Sequence, residues 1–229
     1  MRAALTPGTV SYGESPEQVA DLWLPRRDGT SQVVVLIHGG CWWECYRRDL
    51  ENDVAADLAR RGYAVWNIEY RRLGAEGGWP ECHQDVVLAI SALQKLDAEI
   101  DPQPIALVGH SAGGYLALLA ASEVQTRGVV AQAPVADLRL AAQLRSCTGG
   151  VEAMLLQGAP SPVDDPPALP HLVVQGDADE DVPVEIGREY SRAASAAEYV
   201  ELAGCGHYEH LDPASSAWHV AIQWIEGLL

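Results

Sequence analysis

No run of the sequence reaches the roughly 20 consecutive apolar residues of a membrane-crossing helix. The opening MRAALTPGTVSYGESP lacks the apolar core of a secretory signal, so the expectation is a cytoplasmic protein with no membrane partner. Basic residues are scarce: 15 Lys and Arg stand against 32 Asp and Glu, a formal net charge of −17. Such a field repels phosphate backbones and anionic surfaces, which argues against nucleic acid as a partner. Cysteine is sparse and odd in number, at positions 41, 45, 82, 147 and 205 without paired zinc-type spacing. Reduced thiols are therefore expected rather than a disulfide framework. The C-x3-C pair Cys41 and Cys45 is the one place where two thiols could meet on a loop. No G-x-x-x-x-G-K phosphate loop and no metal set occurs by spacing, so no cofactor and no metal are expected.

What is present is a chain of 229 residues, the size of one ordinary domain with a continuous core, and 1–229 is read as that domain. Short β-branched runs alternate with segments of helical period, the pattern of a mostly parallel sheet covered by helices on both faces, an α/β fold. An edge hairpin is expected at 9–12 and 18–24, and a buried strand at Val33 to His38 in QVVVLIH. Leu50, Val54 and Leu58 line one face of a helix over 48–61 that Gly62 stops. After a strand over 63–70 and the turn GAEGGWP, Val86, Ile90 and Leu93 share a helix face over 81–96. Strands follow at 105–109, 128–132, 171–175 and 198–202, with helices over 112–122 and 184–194. A closing helix carries Trp218, Ile222, Ile225 and Leu229 on one stripe. The connector 137–170 reads as a short helix plus loop, too short for a cap domain, either bordering a substrate pocket or merely crossing the surface.

The chemistry gathers around GHSAGG at 109–114, a G-x-S-x-G between a short apolar strand and a helix. A nucleophile must be thrust from a tight strand-to-helix turn whose flanking segments almost touch, which demands small neighbours. Ser111 sits at that apex. A serine hydroxyl is a poor nucleophile at neutral pH, so an imidazole must take its proton and return it to the leaving group. Of seven histidines, His207 lies in GCGHYEH, the loop between the last strand and the closing helix; His210 is its rival, and His83, His171 and His219 read as structural. For the orienting acid, HLVVQGDADEDVP offers Asp177, Asp179, Glu180 and Asp181 after a buried strand, of which Asp179 is chosen by spacing. Asp137 is the other topologically allowed acid. The developing oxyanion needs preorganised amides, and Ala112 together with Gly40 and Cys41 of HGGCWW can supply them. Trp42, Trp43 and Trp79 fall in loops expected near the carboxyl end of the sheet, where they either offer a flat or apolar substrate group area to bury or serve equally as packing residues.

Taken together, HGGCW at 38–42, EYRR at 69–72, GGWP at 77–80, GHSAGG, GDADEDVP at 176–183 and GCGH at 204–207 resemble the compact α/β-hydrolases with an HGGxW loop. That group includes kynurenine formamidases and small carboxylesterases related to the hormone-sensitive-lipase branch. The resemblance implies that the aspartate ahead of D-V-P, here Asp179, is the triad acid. Cysteine at 41 departs from the group's glycine-rich loop. The expected activity is a serine carboxylesterase acting on a small ester or amide through an acyl-enzyme. The alternatives are an arylformamidase cleaving N-formylkynurenine and a catalytically silent binding protein on a hydrolase fold. Oligomeric state is left open, with a homodimer among the options.

Overall fold

The computed structural model describes residues 6–27, 29–74 and 77–228. Strands β1 (Gly8–Ser11), β2 (Val19–Trp23), β3 (Val33–Ile37), β4 (Ala64–Ile68), β5 (Ala106–His110), β6 (Gly128–Gln132), β7 (His171–Gly176) and β8 (Ala197–Leu202) form one sheet in the order β1-β2-β4-β3-β5-β6-β7-β8. The first two pair antiparallel as the expected hairpin, β2 runs antiparallel to β4, and the rest are parallel. Every residue of VVVLI in β3 is buried, as a central strand covered on both faces requires. This is the mostly parallel α/β sheet, covered on both faces, that the alternating pattern implied, in the α/β-hydrolase arrangement that the resemblance implied.

Side-chain alternation along the strands divides the core in two. Val33, Val35 and Ile37 face helices α2 (Glu81–Ala92), α3 (Ala112–Ala120) and α6 (Val184–Ala193). Val34 and Leu36 face α1 (Asn52–Arg61) and α7 (Ser216–Gly227), where Val54, Leu58, Trp218, Ile222 and Ile225 are buried. Leu229, the last position of the expected closing stripe, and residues 75–76 of the glycine-rich turn lie outside the described residues. Helix α1 ends where expected, on Gly62 in the left-handed region at φ 100°.

The connector 137–170 differs from its expectation by one helix. It holds α4 (Leu138–Leu144) and α5 (Gly150–Leu156), then a single turn at Pro162–Asp164. Asp137 caps α4, accepting from the amides of Arg139 and Leu140 at 3.0 and 3.1 Å. Each helix buries only a few apolar side chains, such as Leu138, Ala141, Val151 and Met154, too sparse a pattern to separate two helices by periodicity.

Chain order places the site. After β3 the chain passes to β4 on one side and then to β5 on the other, so the sheet reverses its winding between β3 and β5. Loops leaving the carboxyl ends of two strands diverge at such a point and open a crevice. The HGG loop after β3 and the serine turn after β5 flank that crevice, while the loops after β7 and β8 approach it from one side.

Candidate active site

Ser111 occupies the turn between β5 and α3 at φ 56°, ψ −118°, a conformation rare for a residue with a side chain. The surroundings enforce it. A Cβ on Gly109 would lie 2.2 Å from the Gly113 carbonyl, and one on Gly113 would lie 1.9 Å from the Ile37 carbonyl. Only glycines let strand and helix come so close. The Ser111 amide donates to Gln132 O at 2.8 Å, and its Oγ has no hydrogen-bond partner among the described residues. A buried hydroxyl without a partner is free to engage a base or a substrate.

Asp179 and His207 meet 28 residues apart in sequence, with Nδ1 of the ring 2.7 Å from Oδ2. The other carboxylate oxygen accepts from the amides of Asp181 and Val182 at 2.9 and 2.8 Å, and Gln175 Nε2 lies 3.3 Å from Oδ2. With acceptors on that side, Nδ1 carries the proton and donates it, which leaves Nε2 as the basic nitrogen. The competing acids are otherwise engaged: Asp137 caps α4, Asp177 accepts from the Gly204 amide at 2.6 Å, and Glu180 and Asp181 are exposed. His210 is wholly buried, with both ring nitrogens unpartnered among the described residues, and burial pushes its pKa down to about 4.

Sequence reasoning passed over His110, the residue before the serine. Its Nε2–H donates to the His207 carbonyl at 2.9 Å, and the two rings lie 4.5 Å apart between centroids. Burial, helped by the neighbouring imidazoles, holds its pKa well below the ordinary histidine value, which keeps the ring neutral. The serine turn and the loop of His207 are thereby tied together. The x of G-x-S-x-G carries no role in the bare motif, so only contact could reveal it.

On the other flank, the loop after β3 runs through three residues of positive φ: Gly40 at 104°, Cys41 at 51° and Trp42 at 60°. For residues with a Cβ, the left-handed region costs about 1–2 kcal/mol each, so something must hold the turn. The Trp43 amide closes it onto Gly40 O at 2.9 Å, and the Leu73 amide donates to Trp42 O at 2.8 Å. Gly39 lies so near the serine turn that a Cβ there would be 3.0 Å from Ser111 Cβ. Across the crevice, Ala112 begins α3, and the first amides of a helix have no intrahelical acceptor.

Beneath this loop lies a buried ionic network whose residues the EYRR motif contains but whose role the motif does not state. Glu69 is fully buried and meets His38 Nε2 at 2.8 Å, the Arg48 amide at 3.2 Å and the side chain of Arg72. His38 donates from Nδ1 to Gly39 O at 2.8 Å, and the Tyr70 hydroxyl donates to His38 O at 2.8 Å. The usable signal was a charged E-x-x-R immediately after an apolar strand, where a buried carboxylate needs partners.

Two expectations are overturned. The cysteines are not all reduced: Cys41 is bridged to Cys147 across 106 residues, while Cys45, the partner C-x3-C suggested, is free and exposed. Spacing cannot foresee a bridge between a loop and a connector that only the fold brings together. Trp42 is no substrate wall, since it is wholly buried with its ring edge-on to Tyr115 at 5.3 Å, where a large indole finds most area to bury. Trp43 is 38% exposed, and Trp79 is partly buried, tilted over His83 at 5.3 Å. Tyr46 and Tyr208, which sequence reasoning did not single out, are also exposed, Tyr208 lying edge-on to the His207 ring at 5.3 Å.

Among the described residues, Asp179, Asp181 and His207 are close enough to share a cation, with donor atoms within 4.8 Å of one another. Two of the three already bond to each other, so a cation there would have to displace the Nδ1 proton.

Residues 20–142 match the family model described as BD-FAE. Among curated proteins, the chain is similar to the probable carboxylic ester hydrolase LipM of Mycobacterium tuberculosis, at 35% identity over 120 residues covering 50% of this chain and 28% of that one. It is also similar to the esterase LipC of the same organism, at 28% identity over 245 residues covering 90% of this chain and 60% of the relative. The chain thus spans less than two thirds of either relative's length. Among solved structures, a truncated carbohydrate esterase from gut microbiota superposes with a TM-score of 0.81 at 20% identity, over 100% of this chain and 98% of that one. At that identity the superposition speaks for the fold.

Proposed function

The chain belongs to the BD-FAE family, and from that membership and the site's geometry we propose that it is a serine carboxylesterase with Ser111 as nucleophile, His207 as base and Asp179 as the orienting acid. The single observation that carries the reading is the buried Asp179–His207 hydrogen bond on the rim where Ser111 presents an unpartnered hydroxyl. In the proposed sequence, Nε2 of His207 accepts the serine proton as Oγ attacks the ester carbonyl, and the amides of Ala112 and of Cys41 or Gly40 hold the oxyanion. His207 returns the proton to the departing alcohol. Water then enters, gives its proton to the same nitrogen, and releases the acid from Ser111.

Exposed Trp43, Tyr46 and Tyr208 favour a substrate with a flat or apolar group, and the net charge of −17 disfavours an anionic one. The connector 137–170 forms one wall of the pocket in this reading, since its α4–α5 turn is bridged to the Cys41 loop. Esters are preferred to formamides because the named relatives are ester hydrolases. The cytoplasm is the proposed location, and there the Cys41–Cys147 bridge would be open to reduction.

Ser111→Ala should lower hydrolysis of short p-nitrophenyl esters by at least about 10³-fold with the circular dichroism spectrum unchanged. Turnover at the wild-type rate would end the proposal. Failure of a fluorophosphonate to label Ser111 would favour a binding protein on a hydrolase fold.

A further inference from the structure

We infer that the Cys41–Cys147 bridge is a positioning device for the oxyanion hole, so that oxidised and reduced protein differ in turnover rather than in substrate affinity. The inference rests on the esterase reading above.

Cys41 sits between Gly40 and Trp42 in the left-handed turn described above, and its amide is one of the groups proposed to face the oxyanion. Trp42 is locked in the core, and the turn is closed on Gly40 O. Between those fixed points the Cys41 backbone could rotate back to an ordinary φ, which would swing the peptide plane that carries its N–H. The side chain prevents this. Its sulfur is bonded to Cys147 in the turn between α4 and α5, a turn that itself runs through positive φ at Arg145 (60°), Cys147 (46°) and Gly149 (85°).

That turn is fitted against the loop at several points. A Cβ on Gly150 would stand 2.5 Å from Cys41 O, and one on Gly149 would stand 3.1 Å from the Trp43 ring. Ser146 Oγ, one residue before Cys147, donates to Asp181 O at 2.7 Å, and the Asp181 amide donates to Asp179 Oδ1. One short segment of the connector is therefore bonded to the oxyanion loop on one side and to the acid loop on the other. The hydrogen bond from Ser146 survives reduction; the covalent tie to Cys41 does not. Opening the bridge frees the amide and leaves the acid in place.

A dithiol reductant opens it by supplying two electrons and two protons, giving two thiols while its own pair closes to a disulfide; oxidised dithiol reverses the exchange. The experiment uses the full chain as Cys45→Ser, which removes the exposed thiol nearest the bridge in sequence. It compares oxidised, dithiothreitol-reduced and reoxidised protein with Cys45→Ser/Cys147→Ser. The readouts are kcat and KM on p-nitrophenyl acetate, the rate of fluorophosphonate labelling of Ser111, thiol content and circular dichroism.

Reduction should lower kcat about 10-fold or more, a part of what loss of an oxyanion donor costs. KM should stay within about threefold. Labelling should slow in parallel, because the phosphonyl oxygen needs the same amide. The double variant should match the reduced protein and ignore the dithiol, and reoxidation should restore the rate. Unchanged kcat in protein shown by thiol count to be reduced overturns the inference. So does a rise in KM at constant kcat, which would make the bridge part of the substrate wall, or loss of the folded signal in step with activity, which would make it a stabiliser only. An oxidised protein that neither turns over nor labels overturns the esterase reading first and this inference with it.

Discussion

The two flanks of the crevice are built on different principles. At β7 and β8, Asp179 is held by the amides two and three residues after it, and Asp177 ties the next loop through the Gly204 amide at 2.6 Å. At β3 and β4, the loop carrying Gly40 and Cys41 is supported by Glu69, 31 residues from His38, and by Cys147, 106 residues from Cys41. The first flank is shaped mainly by local turn chemistry between neighbouring strands, with the hydrogen bonds of Ser146 and His110 as its longer-range ties. The second depends on a buried ionic network and a covalent tie, so its geometry is hostage to distant residues.

The sharpest way to test that contrast is Asp179→Asn. The asparagine keeps the shape but puts the histidine in the wrong tautomer, so kcat should fall by about 10⁴-fold. Because the asparagine oxygen can still accept from the amides of Asp181 and Val182, the urea midpoint should hardly move. A large fall in that midpoint would erase the distinction between the flanks. Glu69→Ala should do the reverse in emphasis: removing one member of a buried network strands His38 and Arg72 and should cost about 3–5 kcal/mol of stability in urea unfolding. A cost under about 1 kcal/mol would mean that the network does not support the loop.

Per pH unit, the smallest effect concerns Glu51, in the turn that leads from this flank into α1. It is buried, its Oε1 has no partner among the described residues, and burial pushes its pKa up to about 8. Below its unfolded value near 4.5 both states hold the proton and the stabilising contribution is complete. As pH rises from there to about 8, the unfolded chain ionises while the folded one does not, so stability should fall by up to about 1.4 kcal/mol per pH unit. Glu51→Gln should flatten that slope in unfolding curves taken from pH 5 to 8. An equal slope in both proteins would show that the carboxyl titrates normally.

The same contrast explains what could be read in advance. Ser111, Asp179 and His207 stand in short motifs directly after strands, and chain order alone brings those strand ends to one rim. The supporting residues were harder. His110 is the unspecified letter of its motif, Glu69 and Arg72 were quoted in EYRR without a role, and Cys147 lies in a connector with no motif at all. Trp42 and Trp43 are adjacent and chemically alike, yet one fills the core and the other faces outward, because successive left-handed residues turn the chain in a way that period and composition do not encode.

The sequence by itself determined the sheet, its two covering layers and the tight serine turn, because alternation, helical period and small residues act over a few neighbours. Only the tertiary structure decided which cysteine pairs with Cys41, which indole is buried and that His110 ties the serine turn to the loop of His207. Those outcomes depend on distances between segments far apart in the chain, and such distances exist only once the core has closed.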